Sequence, residues 1–151
     1  MNEQSKTNET PIDGYLAVMP SCLNLPLIEK WFKMTIQQIK PEDYREITPY
    51  WCNRLLLNNG GRRSKDFWER CYLKMYTRET FKEWFENEII HRITPKHFDF
   101  NVMTLGYPKS TDLDRIVKLE HKGIEVRTGN PEWGAIPNQL YFVIVHGDVI
   151  A

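Results

Sequence analysis

The chain has 151 residues, of which 41% are hydrophobic and 26% charged, as is usual for a single globular domain. Its 20 basic and 20 acidic residues cancel, which excludes a bulk polycation that attracts nucleic acid through net charge alone. No apolar run approaches the ~20 residues of a membrane span, and residues 1–14 lack a signal-peptide pattern, so we expect no membrane partner.

The cysteines indicate a reducing compartment, and the histidines give no metal-binding pattern. Cys22, Cys52 and Cys71 are odd in number and form no C-x-x-C pair, which predicts reduced, mostly buried thiols and a cytoplasmic protein. The four histidines show no metal-ligand spacing with one another or with the cysteines. We therefore expect no metal site and no cofactor.

The first elements follow from local pattern. Residues 1–14 are polar and predict a flexible tail, followed by one domain over 15–151. Residues 22–27 alternate in polarity, which predicts a strand with one buried face, and Pro26 restricts it to an edge or a strand end. A helix is predicted over 28–38, with an apolar stripe that contains Ile28, Trp31, Phe32, Thr35 and Ile36.

Residues 40–47 carry three ionisable groups, Lys40, Asp43 and Arg45, spaced K-x-x-D-x-R. Two local structures fit them. Pro41 followed by two acids is typical of a helix start. A turn at Pro41 followed by a strand would instead put Asp43 and Arg45 on one face, where Lys40 can join them. Such a cluster is a recognition site in a cleft, or a solvated salt bridge on the surface.

Thr48 and Pro49 predict a new helix that ends at the breakers of residues 58–61. Tyr50 and Trp51 in this helix are candidates for stacking on a base, although Trp51 also suits the core. Residues 52–65 contain no acid and have a local charge of +4. This segment is a candidate phosphate-binding patch or an ordinary basic loop, formed by Arg54, Arg62, Arg63 and Lys65.

The second half of the chain turns from helix to strand. Residues 65–93 predict two helical pieces, the second with a capping box at Thr80 and Glu83 and an apolar stripe that we expect to pack on the sheet. Strands are predicted over 98–105, over 115–126 with a bulge near Gly123, and over 140–145, with a turn at 129–134. Together these elements predict an α+β fold, a small closed or half-closed β-barrel decorated by helices.

Several motifs together resemble the ASCH domain of the PUA-like superfamily, in particular its small bacterial and phage members. The matching segments are residues 23–27, the K-x-x-D-x-R spacing, the P-Y-W of residues 49–51 and the G-x-P-E-W-G turn of residues 129–134. The resemblance covers about residues 22–150, with 62–93 as a helical insertion. The family signature is G-x-K-x-x-E-x-R, and this chain departs from it at Gln38 and Asp43. Because Gln38 replaces a residue that tolerates positive φ, we expect the turn into the motif to differ.

The resemblance implies a PUA-like barrel whose cleft binds RNA or a nucleotide-like ligand. The residues expected to bind that ligand are Lys40, Asp43, Arg45, Tyr50 and Trp51. Some family members are amidohydrolases that act on acetylated cytidine nucleosides, with Thr three positions after the Lys, where this chain has Asp43. Enzymatic activity is therefore left open.

Two alternatives stand beside nucleotide binding. In the first, Lys40 and Asp43 share general acid–base work on an acetylated nucleoside or, as a ribonuclease, on RNA. In the second, helices within 65–93 bind a protein partner. The sequence does not choose an oligomeric state or a specific ligand.

Overall fold

A computed structural model describes residues 20–57, 67–68, 70 and 77–150. The predicted tail and three residues of the predicted basic patch, Arg62, Arg63 and Lys65, lie outside the described residues. The strands are β1 (Cys22–Leu27), β2 (Glu42–Arg45), β3 (Leu56–Leu57), β4 (Thr94–Pro95), β5 (Phe100–Leu105), β6 (Ile116–Thr128) and β7 (Leu140–Val149). The α-helices are α1 (Glu29–Ile36), α2 (Pro49–Leu55) and α3 (Arg78–Trp84).

Five strands form one curled, half-barrel sheet in the order β1-β5-β6-β7-β2. β1 runs parallel to β5, and the other pairs in this sheet are antiparallel. Strands β3 and β4 form a separate two-stranded ladder. The predicted α+β class with a curled sheet is confirmed. The two edge strands are β1 and β2, so residues on them border the open side of the half-barrel.

The core lies inside the curl of the sheet. Alternate residues of β1, Leu23, Leu25 and Leu27, point inward and are buried, as their period of two predicts. From β7, Phe142 and Ile144 are fully buried beside them. Each such side chain contributes roughly 1.5–3 kcal/mol when it is removed from water. This packing fixes the edge strands on which the candidate site lies.

Helix α1 covers the core with a narrower stripe than predicted. Phe32 and Thr35 are buried, but Ile28 and Ile36 are exposed by 64% and 44%. Helix α2 begins as predicted, with Pro49 in its first turn and Thr48 Oγ1 accepting a hydrogen bond from Trp51 N at 3.3 Å.

The predicted capping box at Thr80 and Glu83 is wrong. Helix α3 begins three residues earlier, because Thr77 Oγ1 accepts the bond from Thr80 N at 3.0 Å. The helix continues as a π-helical turn, Phe85–Ile89, and a 3-10 turn, Ile90–Arg92. Phe81 and Phe85 on its apolar stripe are fully buried, so this stripe packs on the core as expected.

Strand β5 buries the less apolar of its two faces. Phe100 and Val102 stay partly exposed, whereas Asn101 and Met103 are fully buried. Strand β6 carries the predicted irregularity, with register shifts against β7 on both sides of His121. Bulges of this kind bend a strand and redirect its side chains. Asn101 and His121 are thereby brought together inside the fold.

Two further expectations concern membrane spans and thiols. Among the helices in the described ranges, none is long and apolar enough to cross a membrane. Cys22 is a free, partly exposed thiol, and the side chain of Cys52 is buried. Cys71 lies in a segment outside those ranges.

Candidate functional site

Residues 42–45 form a strand, so the second of the two interpretations of this segment is correct. β2 pairs with β7 in antiparallel register, with Asp43 opposite Ile144 and Arg45 opposite Phe142. Gln38 adopts φ 59°, the left-handed conformation that favours glycine, in the turn between helix α1 and β2. This turn places Lys40 immediately before Pro41 and strand β2.

The three predicted charges meet on one face of β2. Lys40 Nζ donates to Asp43 Oδ1 at 3.0 Å and to Glu42 O at 2.8 Å. Arg45 Nε donates to Asp43 Oδ2 at 2.7 Å. The side chains of Lys40, Asp43 and Arg45 are only 2%, 5% and 16% exposed. The group, which we call the ion cluster, is therefore not a solvated surface salt bridge.

Asp43 is held in its ionised form. Burial acts to raise its pKa, but the charges of Arg45 and Lys40, and the hydrogen bonds that both donate, outweigh burial and hold the pKa below its usual value. Both carboxylate oxygens already accept a hydrogen bond. Asp43 is thus suited to orient the two cations and poorly suited to accept a proton.

Two arginines also bridge the open side of the half-barrel. Arg45 Nη2 donates to Pro26 O at 3.0 Å, and Arg54 Nη2 donates to Asn24 O at 3.1 Å. Asn24 and Pro26 are two residues apart on edge strand β1, so their carbonyls point to the same side. Arginine side chains here take the place that a further strand would fill. We call this place the seam.

Aromatic side chains cover the arginines at the seam. The guanidinium carbons of Arg45 and Arg54 lie 4.9 Å and 5.1 Å from the Trp51 ring centroid. Tyr50 meets Trp51 edge-on at 5.0 Å and is 59% exposed. These four residues, Arg45, Tyr50, Trp51 and Arg54, are named the seam surface. All four were candidates from the sequence, and the fold makes them contiguous.

The opposite face of β2 holds a second polar group that the sequence did not predict. Arg127 makes a two-pronged contact to buried Glu42, with Nη2 to Oε1 at 2.7 Å and Nη1 to Oε2 at 3.1 Å. Tyr44 donates to Glu42 Oε2 at 2.5 Å and accepts from Asn130 N at 2.8 Å. Burial and the Glu42 carboxylate raise the pKa of Tyr44 to about 12. The group anchors the 129–134 turn. The turn packs so closely on Tyr44 that residue 129 has no room for a side chain, because a Cβ at Gly129 would lie only 2.5 Å from the Tyr44 ring.

A third polar group lies between strands β5, β6 and β7. The side-chain amide of fully buried Asn101 contacts His146 Nδ1 and His121 Nδ1, both at 2.7 Å. We call it the histidine network. Sequence reasoning considered these histidines only as metal ligands. Their 25-residue separation and the bulge in β6 leave no local pattern that would have joined them to Asn101.

Comparisons with known proteins give no relative for this chain. No family model matches it, and neither curated proteins nor solved structures provide a match. Its function must therefore be inferred from its own residues. The two features with most bearing on function are the seam surface and the ion cluster behind it.

Proposed function

We propose that this chain is a PUA-like module of the ASCH type that binds an unpaired nucleotide, free or within single-stranded RNA, on the seam surface. One observation carries the proposal: two guanidinium groups lie against a single indole, beside an exposed tyrosine. Aromatic rings and guanidinium planes are the groups on which proteins stack unpaired bases. Arginine is also the side chain that most often contacts phosphate.

The ion cluster supports this role by fixing Arg45. Two of its nitrogens are engaged, Nε by Asp43 and Nη2 by Pro26 O. Within the described part of the chain no partner is found for Nη1, which is left to donate to a phosphate or base oxygen. Lys40 neutralises Asp43 from the other side. A guanidinium held in this way loses little conformational freedom when a ligand binds.

The same contacts favour binding over hydrolysis. An acid–base mechanism needs a group that exchanges a proton near neutral pH. Asp43 has a lowered pKa and two occupied oxygens, and Lys40 Nζ is committed to Asp43 and Glu42 O. This supports a positioning role for both residues. We therefore propose no amidohydrolase or ribonuclease activity.

The test compares two aromatic and two arginine variants. Tyr50→Ala is expected to weaken binding to a single-stranded RNA 12-mer roughly 5- to 150-fold, since stacking is worth ~1–3 kcal/mol per base. Tyr107→Ala, at a tyrosine that is 92% exposed, is the matched control. Fluorescence anisotropy measures the affinity, and a nucleoside monophosphate competitor shows whether a single nucleotide suffices. Equal affinity of both tyrosine variants, or no binding by the unmodified protein, would remove the proposal.

Arg54→Ala separates phosphate contact from stacking. Its control is Arg115→Ala, because Arg115 Nη2 also donates to one backbone carbonyl, Leu105 O, at 3.0 Å. Loss of one phosphate contact is expected to reduce the slope of log affinity against log salt by about 0.7. An unchanged slope in Arg54→Ala would mean that this arginine only bridges the seam and contacts no phosphate.

Incubation with acetylated cytidine and with RNA checks the enzyme alternative, and turnover that is lost in Lys40→Ala would revive it.

A further inference from the structure

Strands β5 and β6 separate at one end and leave a groove between them. Their pairing ends at Phe100 opposite Glu120, and β6 continues past this pair to Thr128. The groove is lined on one side by residues 95–98, which lead into β5, and on the other by residues 121–124 of β6. We call it the splay groove. It measures about 400 Å³, a volume typical of a site for a small molecule.

A bulge in β6 borders the splay groove. His121 pairs with His146 and Gly123 with Val145, so two residues of β6 oppose one of β7, and Lys122 is the extra residue. Gly123 has φ 136°, which glycine adopts without strain, and a Cβ built there would meet no described atom within 4 Å. A ligand in the groove can therefore approach the main chain at the bulge.

The ionisable side chains of the splay groove are all basic. None of its described lining residues is acidic, and the basic ones are Lys96, His97, His121 and Lys122. Lys96 Nζ donates to Asn53 O at 2.6 Å, which holds its ammonium in place. The His121 ring is held by the contact of its Nδ1 with Asn101 Oδ1 at 2.7 Å. The groove thus combines two held groups with the solvent-exposed His97 and Lys122.

The carboxylates paired with the exposed groups compensate them only weakly. Lys122 Nζ lies 3.6 Å from Glu120 Oε1, and His97 Nε2 lies 3.3 Å from Asp99 Oδ1, in pairs that solvent reaches. Each carboxylate also accepts a hydrogen bond from a backbone N–H group, which holds it outside the lining of the groove. Exposed ion pairs contribute little, and an ammonium has three donors, so an anion can be bound beside these contacts.

We propose that the splay groove binds a phosphate group, either of a free phosphate ester or of an RNA strand. A cleft lined by charges of one sign concentrates ions of the opposite sign. Phosphate oxygens accept several charge-assisted hydrogen bonds, and lysine ammonium groups only donate them. Asn53, which holds Lys96, is next in sequence to Arg54 of the seam surface, so a strand bound there has a route to the groove. The RNA source rests on the proposed function, whereas binding of a free ester does not.

Inorganic phosphate and glycerol phosphate are the probes, and imidazole NMR signals of the full chain at constant pH are the readout. Both probes are expected to shift the His97 and His121 signals saturably, with dissociation constants in roughly the millimolar range for such small ligands. His91 is exposed, lies outside the groove and serves as the internal control. Acetate, with fewer acceptor oxygens and less charge, is expected to bind several-fold more weakly.

Lys122→Ala tests the groove itself and then its source of phosphate. It is expected to weaken binding of glycerol phosphate roughly 3- to 10-fold, because a charged donor is lost. Lys109→Ala, at an exposed lysine outside the groove, is the matched control. If RNA supplies the phosphate, Lys122→Ala should also lower the slope of log RNA affinity against log salt by about 0.7. An unchanged slope beside weakened ester binding assigns the groove to a free ester.

The proposal is overturned if the His97 and His121 signals stay fixed to high phosphate concentration. It is also overturned if His91 shifts equally, if acetate binds as tightly as phosphate, or if Lys122→Ala and Lys109→Ala bind glycerol phosphate equally well. None of these results affects the proposed function, because RNA binding that depends on Tyr50 is measured separately. Loss of that dependence would in turn leave binding of a free ester in the groove intact.

Discussion

The ion cluster and the histidine network bury polar groups by opposite means. The ion cluster keeps full charges and compensates them, since Asp43 lies between two cations at 3.0 Å and 2.7 Å. The histidine network stays neutral, because burial drives the proton from His146 and an amide satisfies one nitrogen of each ring. Lys40 belongs to the ion cluster and lines a small cavity together with His146 of the histidine network.

The difference indicates where each region is vulnerable. A compensated charge cluster tolerates pH change but not the loss of one partner, since the remaining charge is left buried and unpaired. A neutral network tolerates a lost partner better, but it is destabilised when its histidines must take up protons. Loss of one partner by substitution should therefore destabilise the ion cluster more, and acid should destabilise the histidine network more.

The largest expected effect is from Asp43→Asn, which removes the charge between Lys40 and Arg45 and keeps the side-chain shape. Because Lys40 is then a buried, uncompensated cation, the free energy of unfolding should fall by roughly 3–5 kcal/mol. Urea denaturation measures it. The matched control is Glu125→Gln, which breaks an exposed ion pair to Arg127 and should cost no more than about 1 kcal/mol. Equal losses in both variants would mean that the ion cluster is solvated.

The next effect is a loss of stability in mild acid that comes from the histidine network. The folded-state pKa of His146 is about 4 against an ordinary 6.5, so the unfolded chain binds more protons between these values. Stability therefore falls as pH drops from 6.5 towards 4, by up to about 3 kcal/mol at ~1.4 kcal/mol per pH unit. Urea midpoints across this range should show the decline.

Asp43 should act in a different pH window. Its folded pKa is lowered below 3.8, so its contribution is complete above that value and is lost only as pH falls further. His146→Phe should therefore flatten the profile between pH 6.5 and 4 and leave the lower part in place. A profile that stays equally steep in that variant would assign the acid loss to other groups.

The smallest expected effect concerns the turn that places Lys40 between the two regions. Gln38 has φ 59°, where a side chain is strained, so Gln38→Gly should stabilise the fold by roughly 0.5–1 kcal/mol. Gln37→Gly is the neighbouring control, because Gln37 has φ −77° and should lose stability when it becomes glycine. Thermal unfolding compares the two. Destabilisation by Gln38→Gly would show that the Gln38 side chain itself contributes to stability, at the small cavity that it lines with Lys40 and His146.

Much of the fold and part of the site follow from local pattern. The alternation of 22–27, the Thr48 cap and the long strand with its bulge all depend on neighbours in sequence. The Thr77 cap was missed because Thr80 offers the same local chemistry three residues later. The two possible structures for 40–47 could not be separated locally. Pairing with β7, about 100 residues away, selects the strand.

The sequence by itself identified the residues of the ion cluster and seam surface as candidates, because their types and spacing lie within residues 40–54. Only the tertiary structure decided that these charges are buried, that two arginines bridge to β1, and that Asn101 joins His121 to His146. The physical reason is the separation along the chain of the residues that interact. Local periodicity encodes the face of a strand, whereas burial and hydrogen-bond partners depend on residues that the fold brings together from distant parts of the chain.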